Sequence, residues 1–491
     1  MDDGRRVSVS EKRLLVVDVG SSALKAVLFD ARGEIAAQVS RPISTRSSHG
    51  GVHEQDPSQW WAALNEAVAA LPERDAISAV AFSGSMQNLI ATDEQGAPIG
   101  AAVLYSDRRL ADADVAALSA RLPGDYAQRT GNRIDPAHTI LKVMARERFA
   151  PKTIGEQVRW TFGAKDALTL RLTGRSVIDP TTASTTGLMN FAARRWDAEL
   201  LRLVGVDAAV LPAIEPADAI VGRVSPDAAR ETGLPAGVPV YNGSGDAGAA
   251  TWGASASAPG SAYCYLGTTG WVAATLPDAT AAPPRDVYTL ADAVRPDHAV
   301  VVSPFLAAGA AMDWLTAACG QPVESLIEAA EAQDASPGPA LFLPYLNGER
   351  SPFEDSAVRA AFFGLASSDG AGAMALAVLE GVAFAVRHNL DHANLPPSTL
   401  TVIGGAARHP LQRQVLADVL DRDIAAPADS EAITALGVLR MVSAATGVRA
   451  AAAGTVAIVR PRPDRAARCQ RRYAAYLAAS SFARDFSGKL V

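Results

Sequence analysis

The sequence predicts an α/β protein of two domains that share one plan. The chain has 491 residues, more than a single hydrophobic core usually organises. One short pattern, x-x-x-Gly-[Ser/Thr]-[Ser/Thr]-small-x-x-Ala, occurs at residues 17–26 and again at 264–273. Each copy stands between two apolar stretches, as a tight turn between antiparallel strands does. Strand and helix patterns alternate in both halves, which is typical of an α/β fold.

The repeat and the composition divide the chain into four predicted parts. Residues 1–12 are polar, carry mixed charge and lack the apolar segment of a secretory signal, so we expect a disordered tail. The first domain is expected at 13–254 and the second at 259–449, with the boundary in the small-residue run 253–260. Residues 450–491 are rich in Ala and Arg and are expected to form a helical extension, in which no chemistry is identified.

The strand patterns of the first domain bring substrate-side candidates to one edge of a sheet. Strands are expected in a meander over 14–29, turning at Gly20, and over 35–39, 76–83 and 238–242. Ligands of open α/β sheets sit beyond the carboxyl ends of strands, so Met86 and Gln87 are expected to face substrate. The long stretch 106–231 is expected to be an insertion that forms a lid or a substrate wall.

Residues 56–59 have the pattern of a helix N-terminus. Asp56 is expected to be the N-cap, with Pro57 in the first turn and Gln59 closing a capping box. The helix is expected to end at Leu71.

The second domain repeats the plan. Its elements are expected as a hairpin at Gly267, a helix over 371–389, a strand over 400–403 and a turn at 404–406, followed in the extension by a helix over 465–484.

The two repeated turns have the composition of phosphate-binding loops. Their residues are Gly20, Ser21, Ser22 and Gly267, Thr268, Thr269. Glycine and small hydroxyl residues expose main-chain N–H groups that suit phosphate oxygens, so two turns could hold the phosphates of one nucleotide. The copies differ where Asp18 is replaced by Tyr265. A carboxylate beside a phosphate loop is unfavourable without a cation, so Asp18 is expected on the Mg²⁺ side.

The loop from Gly243 to Gly248 has the spacing of a dinucleotide fingerprint but places Asp246 inside it. A pyrophosphate would be repelled by that carboxylate, and no acidic residue follows about 20 positions on to bind a ribose, so a dehydrogenase is rejected. Asp246 is better placed to accept a hydroxyl proton during phosphoryl transfer. On the loop alone, a turn or cap role for Asp246 is equally open.

Composition excludes several other classes. The formal net charge of −7 and the lack of a basic run argue against nucleic acid. No apolar stretch approaches the roughly 20 residues that span a bilayer, so no membrane partner is expected. The three cysteines, Cys264, Cys319 and Cys469, have no metal-type spacing and are expected as buried thiols in a cytoplasmic protein. A homodimer is left open.

The histidines and lysines give weaker signals. His388 and His392 have a spacing that can hold a metal, but a solvated helix end is the preferred interpretation because no third ligand accompanies them. For Lys25, Lys142 and Lys165, a solvated role is at least as likely as a functional one.

Taken together, these segments resemble the FGGY carbohydrate kinases, from about Leu14 to Gly447. The resemblance includes both turns and the segments Phe342–Pro352, Phe362–Leu365, Val378–Phe384, Gly404–Arg408 and Gln414–Leu420. It implies a two-domain actin-like ATPase (ribonuclease H-like) fold with a duplicated βββαβα core and an ATP cleft between the domains.

The resemblance also implies site roles. Asp246 would be the catalytic base, and Asp18 together with Asp246 would hold Mg²⁺. Met86, Gln87 and Asp246 would contact the small carbohydrate substrate. The residues implied to bind ATP are Gly20, Ser21, Ser22, Gly267, Thr268, Thr269, Gly309, Gly404, Gly405 and Ala406.

Spacing around Glu54 and Trp60 is most similar to the xylulokinase branch, which phosphorylates a ketopentose such as D-xylulose. Two departures stand out: Met86-Gln87-Asn88 where that branch has Met-His-Gly, and Asp246-Ala247 where it has Asp-Asn. Lost hydrogen-bonding groups change which hydroxyls a site accepts. Another polyol, ketose or sugar acid such as gluconate is therefore an alternative, and a catalytically inactive actin-like nucleotide-binding protein is the alternative of another class.

Overall fold

A computed structural model describes nine segments of the chain: 12–48, 51–110, 112–136, 138–149, 158–277, 287–395, 399–428, 430–450 and 456–489. The tail expected at 1–12 lies outside the described residues except for Lys12.

The first half, up to residue 253, contains a six-stranded mixed sheet and several small sheets. Its strands are β1 Arg13–Val19, β2 Ala23–Phe29, β3 Ile35–Pro42, β4 Arg46–Ser48, β5 Val52–Gln55, β6 Ile77–Gly84, β7 Ile90–Thr92, β8 Ala102–Val103, β9 Arg159–Thr161, β10 Val177–Ile178, β11 Met189–Asn190, β12 Arg195–Trp196, β13 Ala213–Ile214, β14 Ile220–Arg223 and β15 Pro239–Gly245. Its helices are α1 Pro57–Ala70, α2 Asp112–Ser119, α3 Tyr126–Thr130, α4 Thr139–Met144, α5 Ala164–Thr173, α6 Pro180–Ser184, α7 Ala198–Val204, α8 Pro226–Thr232 and α9 Asp246–Gly253, with short 3₁₀ helices at Arg74–Ala76, Arg146–Arg148 and Ala208–Val210.

The second half contains a seven-stranded mixed sheet. Its strands are β16 Ala262–Leu266, β17 Gly270–Leu276, β18 Tyr288–Ala291, β19 Ala299–Phe305, β20 Leu341–Leu343, β21 Ala361–Phe363, β22 Thr399–Ile403, β23 Asp423–Pro427 and β24 Val456–Val459. Its helices are α10 Gly309–Cys319, α11 Val323–Asp334, α12 Ala371–His392, α13 Pro410–Leu420, α14 Ile433–Thr446 and α15 Pro463–Ser487, with 3₁₀ helices at Gly405–Arg408 and Ser430–Ala432.

The two large sheets repeat one topology. In the first, the order β3-β2-β1-β6-β15 joins three antiparallel strands to two that run parallel to β1. In the second, the order β19-β17-β16-β22-β23 does the same around β16. Each sheet adds an antiparallel strand beyond its last parallel one, β14 and β24 respectively. The duplication predicted from two short turns therefore extends to five strands of each large sheet.

Local sequence explains most element ends. Gly20 donates its main-chain N–H to Ala23 O at 3.0 Å, which closes the turn between β1 and β2. Asp56 caps α1 through Oδ1, which accepts from Ser58 N at 2.9 Å. The expected capping box is wrong, because Gln59 Oε1 instead accepts from Ser44 N at 3.1 Å and ties the helix to the preceding loop.

Helix α12 lies in the core of the second half. Of the residues that the structure describes, this helix alone is long and apolar enough to cross a membrane, and 72% of its most apolar window is buried within the protein. Its length and hydropathy are therefore explained by packing against α11, α13 and β20.

Helix α14 belongs to the second half in sequence but covers a face of the first sheet. Its side chains Val438, Leu439 and Val442 pack with Leu14 and Val16 in one buried cluster. The cluster joins the two halves through apolar contact.

Helices α14 and α9 cross at two glycines. A Cβ added at Gly437 would overlap the carbonyl oxygen of Ala249, and one added at Gly253 would overlap that of Ile433. The helices meet main chain to main chain, which only glycine at both positions allows.

Candidate active site

The first repeated turn presents its hydroxyl residues to solvent. Ser21 and Ser22 are exposed between β1 and β2. The Ser21 carbonyl accepts from Gln55 Nε2 at 2.7 Å, and Ile43 N donates to the Ser22 carbonyl at 2.9 Å. With its carbonyls held on one side, the turn keeps a fixed shape, which a phosphate site requires.

Asp18 is the penultimate residue of β1, two positions before Gly20 of this turn. Its Oδ2 accepts a hydrogen bond from Thr434 Oγ1 of α14 at 2.8 Å. Its Oδ1 is buried and has no hydrogen-bond partner among the described residues. Burial raises the pKa of Asp18, opposed by the Thr434 bond, the charge of Lys25 and the nearby Ser83 hydroxyl. A buried carboxylate oxygen that makes no hydrogen bond of normal geometry fits a cation.

Asp246 is the first residue of α9, where β15 ends. Its Oδ1 accepts from Ala247 N at 2.8 Å, which is the one cap-like bond of this side chain among the described contacts. Burial and then the nearby charge of Asp18 raise the pKa of Asp246 to about 7. The negative charge of Asp18 thus disfavours ionisation of Asp246.

The donor set at this pair fits Mg²⁺ rather than a metal held by protein alone. Within the described segments, no group of three or more His, Cys, Asp or Glu side chains could enclose a metal ion. Mg²⁺ is commonly bound by one or two carboxylates, with water and substrate phosphates completing its shell.

The second repeated turn adjoins the start of α10. Thr268 and Thr269 are exposed, and Gly309 N donates to the Gly267 carbonyl at 2.8 Å. The Thr268 carbonyl accepts from Ala308 N at 3.0 Å and Ala310 N at 3.1 Å. A Cβ at Gly309 would lie 2.8 Å from Gly267 O, so the glycine permits this close approach.

The segment Gly404–Ala406 lies beside the same turn. Gly404 has φ +98°, and a Cβ there would lie 2.5 Å from Leu266 O. The distance from an added Gly309 Cβ to Ala406 Cβ would be 3.7 Å. The second turn, the start of α10 and Gly404–Ala406 therefore form one glycine-lined cradle, and its open faces fit a nucleotide.

Met86 and Gln87 follow β6 on the edge of the first sheet where Asp246 lies. A Cβ at Gly245 would overlap Met86 Sδ, so Met86 touches the main chain just before Asp246. Gln87 has φ +59°, and its carbonyl accepts from Lys142 Nζ at 2.9 Å. The structure therefore brings Met86 against the main chain that precedes Asp246, whereas the described contact of Gln87 is with Lys142.

The lysines depart from the solvated interpretation. Lys142 is 2% exposed and Lys165 is fully buried. Burial lowers the pKa of Lys142 to about 7. Lys25 is half-buried, with Nζ 3.4 Å from Glu431 O. A solvated role is thus wrong for Lys142 and Lys165.

The histidine pair is also less solvated than expected. His388 is half-buried between the rings of Phe353 and Tyr476, and burial lowers its pKa to about 4. In the described part of the chain, no third ligand lies with His388 and His392, so a metal site at this pair is not supported.

Sequence reasoning missed a polar bridge between the two halves. Arg350 Nη2 donates to Asp135 Oδ2 at 2.6 Å, and Tyr288 OH donates to the same oxygen. We call these three residues the Asp135 bridge. Arg350 lies in a segment that sequence analysis had singled out, but nothing local to Asp135 or Tyr288 signals the pairing.

The fold and these loops define a class: an α/β protein of two duplicated domains, with two phosphate-type turns and a carboxylate pair, as in ATP-dependent phosphotransferases. Residues 13–253 match the N-terminal domain of the FGGY family of carbohydrate kinases, and residues 262–446 match its C-terminal domain. The chain belongs to this family and is an ATP-dependent carbohydrate kinase.

Individual relatives agree with this assignment. The xylulose kinase of Escherichia coli strain K12 is 32% identical over 436 residues, which are 87% of this chain and 89% of the relative. The gluconokinase of Bacillus subtilis strain 168 is 28% identical over 465 residues, which are 88% of each chain. A crystal structure of xylulose kinase from Rhodospirillum rubrum superimposes with a TM-score of 0.86 at 26% identity, covering 97% of this chain and all of that one.

Proposed function

We propose that this kinase transfers the γ-phosphate of ATP to a hydroxyl of D-xylulose, with Asp246 as general base. The observation that carries the proposal is the pair Asp18 and Asp246, two carboxylates held at strand ends beside a phosphate-type turn. An ionised Asp246 can accept the hydroxyl proton as that oxygen attacks the γ-phosphorus and the bond to the β-phosphate oxygen breaks, releasing ADP.

The nucleotide would lie between the two turns. Gly20, Ser21 and Ser22 on one side, and Gly267, Thr268 and Thr269 on the other, would face the phosphates. Gly309 and the segment Gly404–Ala406 would bind nearer the adenosine. Their exposed faces and the absence of Cβ atoms at the glycines support this placement.

Asp18 and Asp246 would hold Mg²⁺ together with the phosphates. The buried, unpartnered Oδ1 of Asp18 supports this role among the described residues. A divalent cation there would neutralise phosphate charge and relieve the repulsion between the two carboxylates.

The sugar is the finer part of the proposal. D-xylulose is favoured because xylulose kinases are among the relatives of the whole chain. Gluconate is the second candidate, because Gln87 and Ala247 depart from the xylulokinase pattern and a gluconokinase is also related. Met86 and Gln87 would contact the sugar. The cytoplasmic location remains a prediction, and a homodimer remains open.

ADP release tests the proposal directly. Purified protein with Mg-ATP is offered D-xylulose, gluconate and glycerol separately, and kcat/KM is compared. We expect D-xylulose to be preferred, and Asp246→Asn to lower kcat by about 10²–10⁴-fold with ATP binding retained. The matched control, Asp207→Asn, changes an exposed cap carboxylate of the first half and should leave kcat unchanged.

Two outcomes would contradict separate parts of the proposal. A higher kcat/KM for gluconate or glycerol would reject D-xylulose as the substrate. Wild-type turnover by Asp246→Asn would reject the base.

A further inference from the structure

A fully buried charge cluster lies beside β15, the strand that ends immediately before Asp246. Its members Lys165, Asp166 and Asp179 have no exposed surface. Lys165 Nζ lies 2.7 Å from Asp166 Oδ1 and 3.1 Å from Asp179 Oδ2, and it donates to Asn242 Oδ1 at 3.1 Å. Burying such a group costs free energy that its ion pairs offset only in part, so stability alone explains it poorly.

Asp179 connects this cluster to the catalytic loop. Its Oδ1 accepts from Ser244 Oγ at 3.3 Å, and its Oδ2 accepts from Gly245 N at 3.2 Å. Gly245 is the residue immediately before Asp246. The same carboxylate caps α6, since Thr182 N donates to Oδ1 at 3.0 Å. One side chain thus fixes α5, α6 and the end of β15 together.

Gly245 is held from its other side as well. A Cβ there would overlap Met86 Sδ and lie 2.6 Å from Thr182 Oγ1. The main chain before Asp246 is therefore enclosed between the Asp179 carboxylate and the Met86 side chain. A shift at Asp179 would be passed to Asp246 because little free space remains to absorb it.

We propose that Asp179, held in place by Lys165, is a positioning residue that fixes the main chain at Ser244–Gly245 and so aims the Asp246 carboxylate at the sugar hydroxyl. This inference rests on the proposed role of Asp246 as base. In-line phosphoryl transfer depends on alignment, and a misplacement of about 1 Å can cost about 10²-fold in rate.

Asp166 provides a matched control within the same cluster. It is equally buried and pairs with the same Lys165. Its Oδ2 accepts from Gly163 N at 2.9 Å, at the start of α5, and its side-chain hydrogen bonds within the described residues stay on α5 and the residue before it. Asp166→Asn therefore removes the same charge from Lys165 without touching the catalytic loop.

The experiment compares Asp179→Asn with Asp166→Asn in the full-length protein. An amide in place of the Asp179 carboxylate removes the negative charge that Gly245 N–H and Lys165 share. We expect both variants to unfold at lower temperature than the wild type. We expect kcat to fall about 10- to 100-fold in Asp179→Asn alone, with ATP affinity within about two-fold of wild type in both.

Hydrogen exchange provides a readout that needs no turnover. Amides of the segment 239–250 should exchange faster in Asp179→Asn, whereas Asp166→Asn should accelerate exchange only around the start of α5. Should Asp179→Asn fail to fold, Ser244→Ala removes one of its bonds and should lower kcat several-fold with faster exchange in the same segment.

The possible results separate this inference from the proposed function. A wild-type protein that phosphorylates no sugar rejects the proposed function, and hydrogen exchange then decides the positioning role. Equal kcat losses in the two Asn variants, or unchanged exchange over 239–250 in Asp179→Asn or its substitute, would overturn the inference.

Discussion

Glu349 is a buried acid that the fold keeps neutral. The side chain is 2% exposed, and its Oε1 accepts from Leu306 N at 3.0 Å and Arg350 N at 2.8 Å. Burial raises the pKa of Glu349 from 4.5 to about 8 despite these bonds. Near neutral pH the folded protein therefore holds a proton that the unfolded chain has released.

This difference predicts a pH-dependent stability at the residue scale. The pKa of Glu349 is higher in the folded protein than in the unfolded chain. The stability that its bound proton contributes is therefore fully present below pH 4.5 and is lost as the pH rises to about 8. The variant Glu349→Gln stays neutral throughout. We expect wild-type stability, relative to that variant, to fall by about 1.4 kcal/mol per pH unit in this range.

Urea unfolding at several pH values measures this slope. Glu324→Gln, which changes an exposed acid on α11, serves as the control and should track the wild type. Parallel pH profiles for the wild type and Glu349→Gln would contradict the prediction.

At the scale of elements, the crossing of α9 and α14 is a contact between the halves that leaves no room for a side chain at Gly437 or Gly253. Gly437→Ala would place a methyl group on the Ala249 carbonyl. Because the methyl group and the carbonyl are both fixed to the main chain of a helix, the clash cannot be relieved by a side-chain rotation. We expect the free energy of unfolding to fall by about 1–3 kcal/mol or more. Thermal and urea unfolding measure the loss.

Gly488→Ala is the control for this substitution. Gly488 follows α15 with φ −63°, and an added Cβ would meet no atom within 4 Å. The stability of the Gly488→Ala variant should match or slightly exceed that of the wild type. If the two alanine variants are equally stable, the close crossing does not exist as described.

The elements show what local sequence can and cannot predict. The turns at Gly20 and Gly267, the cap at Asp56 and the strand ending before Asp246 follow from glycine, capping and apolar patterns within a few residues. The capping box failed because Ser44, a residue distant in sequence, competes for Gln59. A pattern within a few residues of Gln59 does not show that Ser44 will be its hydrogen-bond partner.

At the scale of the whole molecule, the Asp135 bridge joins the two halves by charge. Its side chains are largely shielded, with 12% exposure for Asp135 and 27% for Arg350. Removing one partner leaves a charge that water reaches poorly, so we expect Asp135→Asn to lower stability by about 1–3 kcal/mol. Thermal unfolding provides the measurement.

Asp227→Asn makes the same change in an exposed ion pair. Asp227 and Arg230 pair with side chains 80% and 76% exposed, so no measurable change in stability is expected. Equal effects of the two Asn variants would argue that the Asp135 bridge contributes nothing to holding the halves together.

Contacts between residues that are far apart in the chain could not be predicted from the sequence alone. The repeated short patterns predict the two-domain plan and the two phosphate-type turns, and strand ends predict Met86, Gln87 and Asp246. Gly309 and Gly404–Ala406 follow only from the family resemblance. The bond between Asp179 and Gly245 spans 66 residues, and that between Arg350 and Asp135 spans 215. Which of these distant charges pair depends on how the sheets and helices pack, and a pattern within a few residues does not specify that packing.

Helix α14 also sets an order of events during synthesis. The first sheet is complete in sequence at residue 245, yet the helix that covers Leu14, Val16 and Ala81 begins only at residue 433. At ordinary translation rates, the delay is on the order of ten seconds or more. Through that interval the newly made first half carries an uncovered apolar face, and its core closes only when α14 leaves the ribosome.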